Sequence, residues 1–316
     1  SNFGNRSDRF LSGYGEDRTL AELFAAAARV DGIAGVELVG TWHVTPHNVR
    51  EIGQQLESHH LKLVSIIPDH FASRLYSKGA FTSKDPRVRA QAVADTKAMM
   101  DAAAELGCDL ISVWNGQDGY DYPFQADYVE ERNWLAEGIR SCAQHRSDVR
   151  LSLEYKPKEP RTHSYLGTAA SALLTVQEVG KPNVGVTLDV GHSLAAYENV
   201  AESIAILARA GGKLFHVHLN DNYRLWDDDM IVGSIHTIEY LEILYWLDRT
   251  GYEGYLSLDQ YPYREDPEKA IAESIQWLRA FRRVVEQASA EAITAVIRRG
   301  DATEASRLLR NALIGA

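Results

Sequence analysis

An α/β fold closed into a (β/α)8 barrel, with a short C-terminal helical extension, is what this sequence predicts, on three observations. Short apolar runs rich in branched residues alternate with longer helical patterns along most of the 316 residues. The alternation repeats eight times, and such regularity implies parallel strands joined by right-handed crossovers. No GxGxxG turn follows an early run, as a doubly wound dinucleotide-binding sheet would normally show.

Taken in order, residues 10–13 are a candidate first strand, and Thr19 caps an Ala-rich helix reaching about Val30. A strand at 33–39 (IAGVELV), a helix at 46–59 and a strand at 61–67 follow. After a long loop, Pro86 opens a helix in which Val88, Ala92, Met99, Ala103 and Leu106 keep one apolar face, and Gly107 ends it. Next come a strand at 109–114, a helix at 126–145, a strand at 150–156 and a helix at 166–179. The last repeats place strands at 184–190, 213–220 and 254–260, helices at 197–210 and 235–250, and a final barrel helix to about Val285. The barrel is expected over residues 1–287. Residues 288–316 read as one or two short amphipathic helices carrying Arg298, Arg299, Arg307 and Arg310, either a solvated cap or a subunit contact.

Composition narrows the partners. A net charge of −11 opposes the basic surface that phosphate backbones require, so nucleic acid is not expected. No apolar run approaches the ~18 residues of a membrane span. The two cysteines, Cys108 and Cys142, give neither a disulfide framework nor a CxxC metal signature, and the N-terminus lacks a signal-peptide pattern. A cytoplasmic protein is the expectation.

The chemistry concentrates in the second half of the chain. In LSLEYKPKEPR (151–161), strand alternation sends Leu151, Leu153 and Tyr155 one way and Ser152, Glu154 and Lys156 the other, and Pro157 ends the strand beside the charges. In VGVTLDV the bulky residues share one face and leave Asp189 on the other. In KLFHVHLN the same holds for His216 and His218, and in YLSLDQ for Asp259. The bulky faces suit packing against the outer helices, so Glu154, Asp189, His218 and Asp259 should point into the barrel. They stand 35, 29 and 41 residues apart, about one strand-helix repeat each. Three carboxylates converging in a poorly solvated mouth raise one another's pKa, and a divalent cation is the natural compensation.

A second set lies close by in sequence. His192 follows Asp189 in DVGH, and Asp227 and Asp229 lie in the DDD loop after the next strand, so Asp189 could bridge two sites. Oxygen-rich ligation favours Mg2+, Mn2+ or Co2+ over a structural Zn2+, with Mn2+ and Co2+ more tolerant of imidazole. Each piece alone has an ordinary reading. A strand His can be a satisfied core residue, Asp189 can cap a helix, an Asp-rich loop can be merely solvated, and Lys156 can sit in a rim ion pair. Those readings do not predict the joint registry.

These motifs resemble those of the xylose isomerase family over roughly residues 61–262. GAFTSKDPRVRAQAV (79–93) is similar to that family's third loop and helix, and VWNGQDG (113–119) to its Trp-Gly-Gly-Arg-Glu-Gly. EYKPKEPR, DVGH and LFHVHLN with DDD resemble its ligand-bearing motifs. The resemblance implies two divalent cations, one on Glu154, Asp189, His218 and Asp259, the other on Asp189, His192, Asp227 and Asp229. It further implies that Lys156 holds a substrate carbonyl oxygen, that Trp114 and Phe71 wall the sugar carbons, and that the protein is a homo-oligomer, a dimer or tetramer.

The implied activity is aldose-ketose isomerisation of an unphosphorylated sugar by a 1,2-hydride shift, with the cations anchoring and polarising sugar oxygens. Asp189 and His218 replace a Glu and an Asp of the family pattern, a combination closer to its L-rhamnose isomerase branch. The family's ring-opening His has no counterpart in GVELVGTWH, where His43 falls too late. A one-metal ketose 3-epimerase on the same barrel, and a non-catalytic metal- or carbohydrate-binding relative, are the rival expectations.

Overall fold

In a computed structural model, the described residues are 2–4, 11–261 and 264–314. The chain runs α1 (Leu20–Arg29), β1 (Gly35–Val39), α2 (Val49–Ser58), β2 (Lys62–Ile67), α3 (Pro86–Glu105), β3 (Leu110–Trp114), β4 (Gly119–Tyr120), α4 (Tyr128–His145), β5 (Arg150–Glu154) and β6 (His163–Ser164). It continues through α5 (Ala169–Val179), β7 (Val184–Asp189), α6 (Val190–Ala195), α7 (Val200–Arg209), β8 (Leu214–Leu219), α8 (Thr237–Arg249), β9 (Leu256–Leu258), α9 (Pro267–Ala288), α10 (Ala290–Arg299) and α11 (Ala302–Ile314). Local chemistry sets many of the starts. Thr19 forms a capping box with Glu22, Asp85 and Asp266 cap helices that have Pro at the first turn, and Thr168 caps α5.

Seven strands form one parallel sheet in the order β1-β2-β3-β5-β7-β8-β9, curled into an α/β barrel. The eighth strand expected at 10–13 is a correction. Phe10 lies outside the described residues, and Leu11, Ser12 and Gly13 form no strand. Two apolar residues followed by Ser and Gly are too few to build a buried ladder. Between β1 and β9 lie residues of the N-terminus instead: the Asn2 side chain donates to the Leu258 carbonyl and Phe3 packs on the core.

Strand alternation explains the core. Ile111, Val113, Leu151, Leu153, Val186, Leu188 and Val217 are fully buried in one apolar cluster with the helices. The opposite faces carry small polar residues. Thr187 donates to Ser152 at 2.6 Å and meets Ser112 at 3.1 Å, so the barrel interior beneath its mouth is a hydrogen-bonded polar layer. Helices α10 and α11 pack on α9, and both cysteines are free and buried. No helix among the described residues is long and apolar enough to cross a membrane.

Because Ile111 is fully enclosed between the sheet and its helices, Ile111→Ala should cost about 2–5 kcal/mol. Urea denaturation of the two proteins measures the loss, and a change below about 1 kcal/mol would contradict this packing.

Candidate metal centre

The four residues of the first set come together. Glu154 ends β5, Asp189 ends β7, His218 lies one residue from the end of β8, and Asp259 directly follows β9. Their ligand atoms all lie within 4.8 Å of one another. His218 Nδ1 stands 3.3 Å from Glu154 Oε1, 3.5 Å from Asp259 Oδ2 and 3.9 Å from Asp189 Oδ2. Glu154, Asp189 and His218 are buried, whereas the Asp259 side chain is 43% exposed. Asp189 also accepts the His192 amide at 2.8 Å as the cap of α6, so the capping role and membership of the set coexist.

The second set is brought together in part. Asp189, His192 and Asp227 form a group within 4.8 Å, with His192 Nε2 3.2 Å from Asp227 Oδ2 and its Nδ1 3.5 Å from Glu154 Oε1. Asp229 stands outside that group. Its backbone is left-handed at φ 48°, and its carboxylate accepts from Asn220 Nδ2 at 2.9 Å. The same amide donates to Asp189 at 3.1 Å. Asn220 Oδ1 in turn accepts the Gly191 amide at 2.7 Å, an approach that only glycine permits, since a Cβ there would lie 2.4 Å from that oxygen.

Lys156 is buried and is not a loose rim pair. Its ammonium lies 2.8 Å from Asp227 Oδ2, 2.7 Å from Glu159 Oε2 and 5.1 Å from the centre of the Trp114 ring. Trp114 and Phe71 meet at 4.8 Å between ring centres, and Trp42 extends the wall 5.6 Å beyond Phe71.

Charge is crowded here. Burial, reinforced by Asp227, Asp259 and Glu154 and opposed by His192, pushes the Asp189 carboxyl up to about 7. Burial and its acidic neighbours lift Asp229 well above the usual carboxylate range. Burial opposes the charged form of His192, but Asp189 and Asp227 outweigh it and raise the imidazole to about 9. Burial likewise works against the Lys156 charge, and Asp227 and Glu159 overcome it, holding the ammonium protonated.

Several buried polar atoms have no hydrogen-bond partner: His218 Nδ1, His192 Nδ1 and Asp227 Oδ1. Bare ring nitrogens and carboxylate oxygens facing one another across 3–4 Å match the donor set of a hard-to-borderline divalent cation, and the residues therefore fit one.

Three nearby residues are absent from the expected site. Glu37, on the inward face of β1, contacts His216 and His218; Asn220 links Asp189 to Asp229; Trp42 joins the aromatic wall. The alternation of GVELV already carried the signal for Glu37. His43 joins none of the ligand groups. Its Nδ1 accepts the Val39 amide at 3.0 Å, and burial lowers its pKa to about 4, so the ring is neutral.

A barrel with two adjoining carboxylate-imidazole groups at the carboxyl ends of its strands defines a class, the α/β barrels whose mouth could hold a divalent cation. Within that class the chain belongs to the xylose isomerase-like TIM barrel family, whose model matches residues 24–281. It is 30% identical over 229 residues to the xylose isomerase of Thermus thermophilus, a match covering 71% of this chain and 59% of that protein. The xylose isomerase of Thermus caldophilus is 29% identical over the same length and coverage. The chain thus spans 59% of the length of these curated relatives.

Among solved structures, 3-keto-D-glucoside 4-epimerase from E. coli superposes with a TM-score of 0.69 at 20% identity, covering 87% of this chain and 98% of that one. A D-tagatose 3-epimerase-like protein gives 0.63 at 24%, covering 79% and 89%. At these identities the structural likeness establishes the fold.

The shifts fix a pH dependence for the metal-free protein. Folded His192 keeps its proton to about pH 9, whereas an unfolded imidazole releases it near ~6.5. The stability this contributes is complete below ~6.5 and is lost as pH rises through about 9. Asp189 acts in the same direction, because its folded carboxyl ionises near 7 rather than near ~3.9. In EDTA the melting temperature should therefore fall from pH 6 to pH 9, and Mn2+ should restore it with the largest gain at the alkaline end. Calorimetry showing a flat or rising melting temperature in EDTA would contradict the assigned charge crowding.

Proposed function

We propose that the protein is a divalent-metal-dependent aldose-ketose isomerase acting on an unphosphorylated sugar. The observation that carries this reading is Lys156. Its ammonium is fixed beside the second ligand set, 2.8 Å from Asp227, and against the aromatic wall. The first cation would be held by Glu154, Asp189, His218 and Asp259, and a second by Asp189, His192 and Asp227 with Asp229 beside them. Mn2+, Co2+ or Mg2+ bound there would supply Lewis-acid polarisation of the sugar oxygens.

The chain's own groups do the rest. In the isomerisation the C2 hydrogen moves with its electron pair to C1 while the O2 hydroxyl proton ends on O1, so the formula is unchanged. Lys156, a buried three-donor ammonium, hydrogen-bonds the carbonyl oxygen as negative charge develops on it, and its ion pairs hold it there beforehand. Trp114, Phe71 and Trp42 offer apolar ring surface to the sugar carbons and keep competing water from the charges. The sequence offers no Gly-rich phosphate cradle, which supports an unphosphorylated substrate.

A second reading has a specific observation behind it. Asp229 is turned to Asn220, and Lys156 already neutralises Asp227. Both features suit a single cation and a ketose 3-epimerase, in which Glu154 and Asp259 exchange protons on opposite faces of the carbon. The shorter Asp259 side chain favours the isomerase. The reading also carries a cytoplasmic location, and homo-oligomerisation, the latter removed by a monomeric mass in a sizing experiment.

Two measurements test the reaction. Turnover of an aldose and ketose panel with added Mn2+ in deuterated water should give product with little deuterium at carbon; full incorporation indicates the epimerase. Lys156→Met should lower kcat about 10²–10³-fold with metal content unchanged. A variant of wild-type activity would remove Lys156 from the mechanism.

A further inference from the structure

Below the first ligand set, and sharing His218 with it, lies a third cluster, whose Glu37 and His216 the reaction above does not use. Glu37 projects from β1, and His216 and His218 project from β8; their ligand atoms lie within 4.8 Å of one another. His216 Nε2 is 2.7 Å from Glu37 Oε1, and His218 Nε2 is 3.4 Å from Glu37 Oε2. Ser65, from β2, donates its hydroxyl to Glu37 Oε2. The two imidazoles meet edge to face, with ring centres 5.0 Å apart and planes at 87°.

We infer that Glu37 is a positioning residue that fixes the tautomer and ring orientation of His218. An ionised carboxylate can only accept hydrogen bonds, so each imidazole nitrogen facing Glu37 carries a proton. In neutral His218 the proton then sits on Nε2 and the lone pair on Nδ1. That nitrogen is the buried atom without a hydrogen-bond partner, facing Glu154, Asp259 and Asp189 at 3.3, 3.5 and 3.9 Å. Ser65 and His216 hold Glu37 from two other directions, so the carboxylate cannot swing away without leaving them unpaired. With a cation held by the first ligand set, Glu37 and His218 would form a carboxylate-histidine-metal triad, in which the outer partner orients the ligand and raises its basicity.

The same geometry argues against a cation within the lower cluster itself. Ligation there through His218 Nε2 would move the proton to Nδ1 and remove the lone pair from the first set.

The inference rests on the first ligand set holding a divalent cation, and the experiment separates the two. The full chain is loaded with Co2+, and the hyperfine-shifted exchangeable imidazole N–H signals are recorded by NMR, while Mn2+ affinity is measured by titration calorimetry. Wild type should show a slowly exchanging N–H signal that disappears in His218→Asn. Glu37→Gln, which keeps an acceptor oxygen, should retain that signal with affinity near wild type. Glu37→Leu should lose it or exchange it rapidly, and weaken Mn2+ binding about 10–100-fold.

A Glu37→Leu protein with the signal and affinity of wild type would overturn the inference while leaving the first set intact. So would a cation bound in wild type that Glu37→Leu abolishes without touching the His218 signal. If Glu37→Leu fails to fold, Glu37→Asp decides: its shorter reach should lower affinity and speed N–H exchange relative to Glu37→Gln, and parity between the two overturns the role. Wild-type protein that binds Mn2+ no better than His218→Asn would sink both the site and the inference.

Discussion

Crowding of like charge at one buried mouth is the constraint around which the molecule is arranged. Glu154, Asp189, Asp227 and Asp259, with Asp229 alongside, would repel one another strongly where water is scarce. Each neighbour can be understood as an answer to that repulsion. Lys156 neutralises Asp227, the start of α6 gives Asp189 an amide to accept, and Asn220 donates to both Asp189 and Asp229. None of these groups relieves the bare faces of His192 and His218, and that is the gap a divalent cation fits.

The barrel makes the crowding achievable. Parallel strands deliver their carboxyl ends to one rim, so residues a whole strand-helix repeat apart become neighbours. The inward positions one layer deeper are Ser112, Ser152, Thr187 and His216 rather than branched apolar residues. Ser112 also reaches Glu154 at 3.5 Å, so the layer of hydroxyls continues the polar environment downward instead of ending it abruptly against hydrocarbon.

What could be read from the sequence follows from the period of a strand. Alternation in LSLE, VGVTLD and LFHVHL places Glu154, Asp189 and His218 on the inner face before any coordinates are known, and the spacing puts them at one level. The same rule applied to GVELV identifies Glu37 as inward, but its role depends on β1 curling round to face β8, a contact far apart in sequence. Loops carry no such period. Nothing in DDD distinguishes Asp227, which meets His192 and Lys156, from Asp229, which turns to Asn220 through a left-handed backbone. The two-residue strands β4 and β6 and the six-residue helix α6 are also too short for a readable periodicity.

Charge balance at the mouth distinguishes the two proposed chemistries in physical terms. If Glu154, Asp189, Asp227, Asp229 and Asp259 are all ionised, Lys156, which is shared with Glu159, offsets at most one of their charges, and two divalent cations with both imidazoles neutral offset most of the remainder. With one cation the same mouth approaches neutrality only if at least two protons are retained. The groups whose surroundings favour keeping them include His192, whose imidazole is raised to about 9, and Asp229 and His218, each raised well above its usual range. The two-cation arrangement therefore competes with protons at His192 and Asp229, and their environment sets how readily the second set fills. Asn220 acts at the same point, since it donates to Asp229 and Asp189 from one amide nitrogen, yet burial and the neighbouring carboxylates outweigh it and raise both carboxyls. Filling of the second set is therefore the property that divides the two proposed chemistries: a second cation would have to displace the protons that acidic neighbours hold at His192 and that burial and like charge hold at Asp229, whereas a single cation leaves them in place.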